Sequence, residues 1–160
     1  MQKRTLSLPY CEFKSPDELD ETALKLIEKA VEIAAKAYVP YSHFPVGAAV
    51  LLDDGSIFAG NNQENIAYPS GTCAERSVLN YVHGNYPDRK IVALAVTALN
   101  TQADTPVTPC GFCRQVIVEL EKHQNAPIRV ILHKMNGPVF TFDTAGILLP
   151  LSFEDAVLKQ

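Results

Sequence analysis

The chain has 160 residues, 47% of them hydrophobic and 20% charged, which is enough apolar material for one core and argues against wholesale disorder. Its 14 Lys and Arg against 18 Asp and Glu leave a net charge of −4, and no basic run exceeds Lys3-Arg4 or Arg89-Lys90. That is a poor match to a polynucleotide, so no nucleic-acid partner is expected.

The first residues carry two positive charges but no apolar core behind them, so they do not read as a signal peptide. The longest apolar stretches, Val46 to Leu52 and Ile91 to Val96, have the length of strands rather than of membrane spans. A cytoplasmic location is expected, with the four cysteines reduced.

In chain order, Ser15-Pro16-Asp17-Glu18 looks like a helix start, with Ser15 as N-cap, Pro16 at the first helical position and Glu18 closing a capping box. Leu19, Leu24, Ile27, Ala30, Val31, Ala34 and Ala37 follow at helical spacing, and the helix should end before Pro40. Val46 to Leu52 and Ser56 to Gly60 flank Asp53-Asp54-Gly55, a hairpin signal. Cys73 to His83 suits a second helix that Gly84 would end. Ile91 to Ala98 reads as a strand covered on both faces. Thr108-Pro109 opens a third helix to about Lys122, and Ile128 to His133 and Pro138 to Phe142 read as late strands. From Asp143 onward the chain reads as a tail, with a short helix after Ser152. The order implies an α/β fold: one mixed sheet with helices on its faces.

Cys73 opens one helix, and Cys110 and Cys113 open another. Residues three apart on a helix share a face, so Cys110 and Cys113 can converge on one ion. Helix N-termini favour thiolate, and three sulfurs leave one tetrahedral position open, the layout of a catalytic zinc site. A C-x-x-C pair alone also fits a redox couple or half of a structural zinc site, with Cys11 or a histidine as fourth ligand.

Glu75 has two readings. In Thr72-Cys73-Ala74-Glu75 it completes a capping box. Alternatively its carboxylate, two residues from a metal ligand, handles a proton of water at the open position.

Cys73-Ala74-Glu75-Arg76 followed by Pro109-Cys110-Gly111-Phe112-Cys113, with Tyr41-Ser42-His43-Phe44-Pro45-Val46-Gly47-Ala48-Ala49 and Asn62-Gln63-Glu64-Asn65 upstream, resembles the cytidine deaminases. The match is to their short, single-zinc, homotetrameric branch, and it runs from about Ala23 to Phe153. The zinc deaminases have the general signature H-x-E…P-C-x-x-C, and this chain has Cys73 at the His position. The resemblance implies a three-layer α/β/α fold with a single mixed five-stranded sheet. It implies a catalytic domain over residues 15–160, preceded by an extension over residues 1–14.

The resemblance also implies a chemistry, hydrolytic deamination of cytidine and 2′-deoxycytidine. One Zn2+ per subunit would be held by Cys73, Cys110 and Cys113 with water as the fourth ligand, and Glu75 would shuttle protons to N3 and to the departing amine. The backbone of Ala74 and the carbonyl of Pro109 would meet the base edge, and Asn62 and Glu64 the ribose. Phe44 would lie beside the base. In the segment Leu148 to Phe153, Phe153 would reach a neighbouring subunit's pocket and make each site composite. Deamination of a modified cytosine nucleoside or a nucleoside antibiotic, and a zinc-stabilised interaction module without catalysis, are the alternatives.

Three thiolates on a divalent ion leave a formal charge of −1, a poor setting for activating water. Arg76 would offset this if it donates to the sulfurs. His43, His83, His123 and His133 lie outside the metal spacing, and Cys11 reads as a free thiol. Gln63 stands where the family often has an aliphatic residue, and the loop from Tyr68 to Thr72 is one variant of a variable segment.

Overall fold

A computed structural model describes residues 1–153. Two hydrophobic strands seed the centre: β2 (Val46–Leu52) and β4 (Ile91–Ala98) pair antiparallel and are buried on both faces. β3 (Ile57–Asn61) returns from β2 through the expected hairpin, where Gly55 takes a φ of 85° that suits glycine. β5 (Arg129–Lys134) lies parallel to β4, and β6 (Val139–Phe142) lies antiparallel to β5. The sheet has six strands, not five. The sixth is β1 (Cys11–Phe13), inside the segment expected to be an extension, and the order is β1-β6-β5-β4-β2-β3. Tyr10, just before β1, packs its ring 4.9 Å from Phe140 and 5.5 Å from Phe142.

Alternation along the strands divides the core into two layers. Ala49, Ala93, Ala95 and Ile131 face α1 (Glu21–Ala34). Val50, Leu94, Val96 and Leu132 face α2 (Ala74–Asn85) and α3 (Gly111–His123). Small residues set the close approach of α1. A Cβ on Gly47 would run into the carbonyl oxygen of Ala30 and lie 2.8 Å from the Ala34 amide nitrogen. This is a three-layer α/β/α arrangement.

Several helix boundaries differ from the sequence reading. Pro16–Glu18 is one 3-10 turn rather than the start of α1, and Ser15 makes no side-chain cap. Asp20 caps α1 instead, accepting from the Ala23 amide at 2.8 Å and pairing with Arg129 on β5 at 2.6 Å. Its carboxylate therefore satisfies the helix end and ties it to the sheet. Gly84 does not end α2, which continues to Asn85, whose side chain donates to the Tyr81 carbonyl at 2.8 Å. α3 starts at Gly111, with Cys110 rather than Thr108 or Pro109 at its cap. After β6 comes a 3-10 turn, Ala145–Leu148, and the helix expected after Ser152 falls outside the described residues. Among the described residues no helix is long and apolar enough to cross a membrane.

Candidate active site

Cys73 is the N-cap of α2 and Cys110 the N-cap of α3; neither side chain bonds its own helix. Both thiols are thus left free to face each other. The Sγ atoms of Cys73 and Cys110 are 3.9 Å apart, those of Cys110 and Cys113 are 3.6 Å apart, and all three lie within 4.8 Å of one another. Zinc–sulfur bonds of about 2.3 Å in a tetrahedron place sulfurs about 3.8 Å apart, so the donor set fits zinc in both chemistry and spacing. Cys11 is exposed on β1, and among the described residues no histidine joins the cluster.

The thiols differ in acidity. Hydrogen bonding from Cys113 and the neighbouring Arg76 bring the Cys73 thiol down to about 5. Cys113 is pushed up, because its proton is held in the bond to Cys73 and because it is buried. A pair already sharing one proton, at a helix N-terminus and beside a guanidinium, is predisposed to lose protons to a metal.

Cys73 being the cap removes one of the two readings of Glu75. The carboxylate sits at the second helical position, not the third, so Thr72 and Glu75 form no capping box. Glu75 is 5% exposed. Burial, reinforced by the charge of Cys73, raises its pKa above the ordinary carboxylate value. A buried carboxyl whose pKa is raised, next to a metal site, is equipped to take and return a proton.

Arg76 lies against Cys73 and Cys113, with its Nη2 3.5 Å from the Gly71 carbonyl and its guanidinium 5.9 Å from the Phe112 ring. Its Nε is buried with no hydrogen-bond partner among the described residues. A buried, unpaired donor beside thiols fits a site whose sulfurs carry full negative charge when metal is bound.

A cavity of about 540 Å³ opens beside Cys73, with Asn62, Glu64, Tyr68, Thr72 and Arg76 also in its wall. The segment carrying Asn62 and Glu64 is braced on both sides. Gln63 exchanges two 2.9 Å backbone bonds with Thr72, and Tyr38 pairs with Asn62 and Glu64 at 3.2 and 2.9 Å. The Asn62 side chain accepts from the Val46 amide at 2.8 Å and donates to the Phe44 carbonyl at 2.9 Å. Glu64 Oε2 accepts from the amides of Tyr41 and Ser42 at 3.0 and 3.2 Å, and its pKa is lowered, first by the Ser42 side chain.

The family model for the cytidine and deoxycytidylate deaminase zinc-binding region matches residues 20–126. The chain belongs to this family. It is 43% identical over 130 residues to a cytidine deaminase of Halalkalibacterium halodurans, covering 80% of this chain and 91% of that one. The crystal structure of the Burkholderia pseudomallei cytidine deaminase superposes with a TM-score of 0.70 at 42% identity, covering 81% of this chain and 97% of the other. For the Mycobacterium tuberculosis cytidine deaminase the TM-score is 0.62 at 36% identity, covering 81% and 95%. Cys73, Cys110 and Cys113 form the family's zinc-binding site in this chain.

Of the other residues singled out by sequence, Ala74 is fully buried at the first position of α2, where its N–H has no intrahelical acceptor. Phe44 is half-buried and outside the cavity wall, engaged through its backbone by Asn62 and Ser42. Pro109 is buried, and its carbonyl accepts from Arg114 Nε at 2.8 Å. Phe153 is exposed, its carbonyl accepting from Gln115 at 3.1 Å. Sequence reasoning did not single out Tyr41 and Ser42 as partners of Glu64, or Thr72 as the brace of Gln63. Tyr41 and Thr72 contribute backbone groups, which leave no mark in residue type, and Ser42 adds its side chain to its amide.

Proposed function

We propose that the chain catalyses hydrolytic deamination of cytidine and 2′-deoxycytidine, giving uridine or 2′-deoxyuridine and ammonia. The observation that carries this is a buried Glu75 two residues from one corner of a three-sulfur zinc site, beside a cavity walled by Asn62 and Glu64. Bound zinc supplies a water acidic enough to act as nucleophile near neutral pH. Glu75 takes a proton from the attacking water, gives it to N3 of the base, and then moves a proton to the departing amine. Ala74 offers its free N–H to the base edge. Asn62 spends one acceptor and one donor on the neighbouring loop, which leaves one of each for ribose hydroxyls. Glu64 is held as an anion by its bonds to Tyr41 and Ser42, ready to accept from a ribose hydroxyl.

The working unit we infer is a homotetramer with composite sites. Phe112, Leu151 and Phe153 are 78%, 91% and 62% exposed, large apolar groups that a partner subunit would cover. Phe153 would then complete a neighbour's pocket, and sedimentation of the purified protein tests the assembly. The thiol chemistry of the site suits a reducing, cytoplasmic compartment.

The deciding experiment mixes zinc-loaded protein with cytidine and follows the change in absorbance and the release of ammonia. Turnover should appear, vanish with a chelator and return with zinc. Glu75→Gln should keep its zinc and lose about a hundredfold or more in kcat. Fully metallated protein that leaves cytidine unchanged overturns the proposal.

A further inference from the structure

Arg114 follows the ligand Cys113 on α3, and its guanidinium is used on three sides. Nε donates to the Pro109 carbonyl at 2.8 Å, Nη2 to Thr108 Oγ1 at 3.1 Å and Nη1 to the Leu148 carbonyl at 3.0 Å. Its own amide closes the first turn of α3 onto the Cys110 carbonyl at 2.9 Å. Among the described residues, the hydrogen bonds that reach segment 104–109 all come from this side chain. The loop leading to Cys110 therefore has one polar anchor.

The geometry of that anchor bears on the metal. The Pro109 carbonyl shares a rigid peptide plane with the Cys110 nitrogen, so fixing the oxygen fixes the direction in which the Cys110 Cα leaves the plane. Cys110 is exposed, unlike Cys113, and packing does little to hold it. The third arm reaches a fixed point: Leu148 is buried and ends a turn whose start is held by Glu121, which accepts from the amides of Ala145 and Gly146 at 2.7 and 3.1 Å. Guanidinium suits this task because its donors form a planar fork, a geometry that a lysine ammonium lacks.

We propose that Arg114 is a positioning residue for zinc, braced on the C-terminal segment at Leu148 and holding the Pro109–Cys110 peptide so that Cys110 meets Cys73 and Cys113. The proposal rests on the zinc site and is independent of the substrate. Its failure and the failure of the deaminase reading are therefore distinguishable.

The test measures the rate at which zinc-loaded protein gives up its metal to excess chelator, well below the melting temperature. Arg114→Gln should release zinc about tenfold or more faster than the wild type, the loss typical of removing an outer-shell partner of a metal ligand. Arg129→Gln, which breaks the ion pair with Asp20 at the start of α1, should release zinc at the wild-type rate whatever its melting temperature. In an Arg114→Ala protein, free ethylguanidinium at non-denaturing concentration should slow release again, and ethylammonium should not. Should Arg114→Gln fail to fold, Arg114→Lys is read in its place, with faster release than wild type expected. Wild-type release from the folded Arg114 variant, or release accelerated equally in Arg129→Gln, overturns the proposal.

Discussion

Cys73 Sγ and Cys110 Sγ meet at 3.9 Å across 37 residues of sequence, each as the N-cap of its own helix. The zinc site is thus a joint between α2 and α3, so metal binding and the docking of these helices should be one event. At free zinc about a thousandfold above its dissociation constant, the metal should add about 4 kcal/mol to stability. For a chain of this size that corresponds to roughly 10 °C in melting temperature. Calorimetry with and without chelator should show that drop in the wild type. Cys110→Ser should melt close to the stripped wild type and bind little zinc. A stripped protein melting as high as the loaded one would contradict a joint of this kind.

Arg76 is the cation beside the thiolates, with its Nε buried and unpaired among the described residues. Removing it leaves the sulfurs' excess negative charge unbalanced, which weakens the site's power to acidify water. Arg76→Ala should lower kcat, or zinc retention, well beyond its effect on melting temperature. Metal analysis and kinetics on the same preparation check this; unchanged zinc content together with unchanged kinetics would refute it.

Asn62 and Glu64 are alike in sequence terms, two polar residues on one extended segment, yet they differ in what their loss should do. Asn62 satisfies the Val46 amide and the Phe44 carbonyl at the mouth of β2. Asn62→Ala strands both, so it should cost about 1–3 kcal/mol of stability as well as raise KM for cytidine. Glu64 holds amides on an exposed loop, and Glu64→Gln retains an acceptor there. This variant should raise KM while leaving the melting temperature unchanged. Paired melting and kinetic measurements separate the two, and an Asn62→Ala protein that melts like wild type would remove the bracing role.

The three ligands were legible in sequence because the chemistry of a cysteine at a helix start does not depend on the rest of the fold. Glu75 was ambiguous for a local reason. Whether it caps α2 depends on which residue is the cap, and a shift of one position, from Thr72 to Cys73, decides it. The same sensitivity misplaced the start of α1, where Asp20 wins over Ser15 because it also meets Arg129 from β5. β1 left no signal, since three residues have no measurable period and its support comes from β6 and from Tyr10 on Phe140 and Phe142. Arg114 was equally silent: two of its three acceptors are backbone carbonyls, and one of those is 34 residues away.

His133 supplies a pH dependence that belongs to the fold rather than to the zinc. It lies in β5 just before the final residue Lys134, 6% exposed, and its Nδ1 lies 3.0 Å from Thr97 Oγ1, whose own hydroxyl donates to the His133 carbonyl at 3.2 Å. The Thr97 hydroxyl thus bridges the His133 ring and the His133 carbonyl. Burial lowers the His133 pKa below its ordinary 6.5, because a charged ring there would lose its hydration. In the unfolded chain the ring takes a proton near pH 6.5; in the folded chain it does so only at lower pH. Folding stability from this residue is therefore intact above about pH 6.5 and declines as pH falls from there toward the depressed folded value. Denaturant titrations of the wild type and His133→Gln, both zinc-loaded, should diverge below pH 6.5, with the wild type losing stability more steeply. Parallel pH profiles for the two proteins would show that His133 takes up its proton in the fold as readily as outside it.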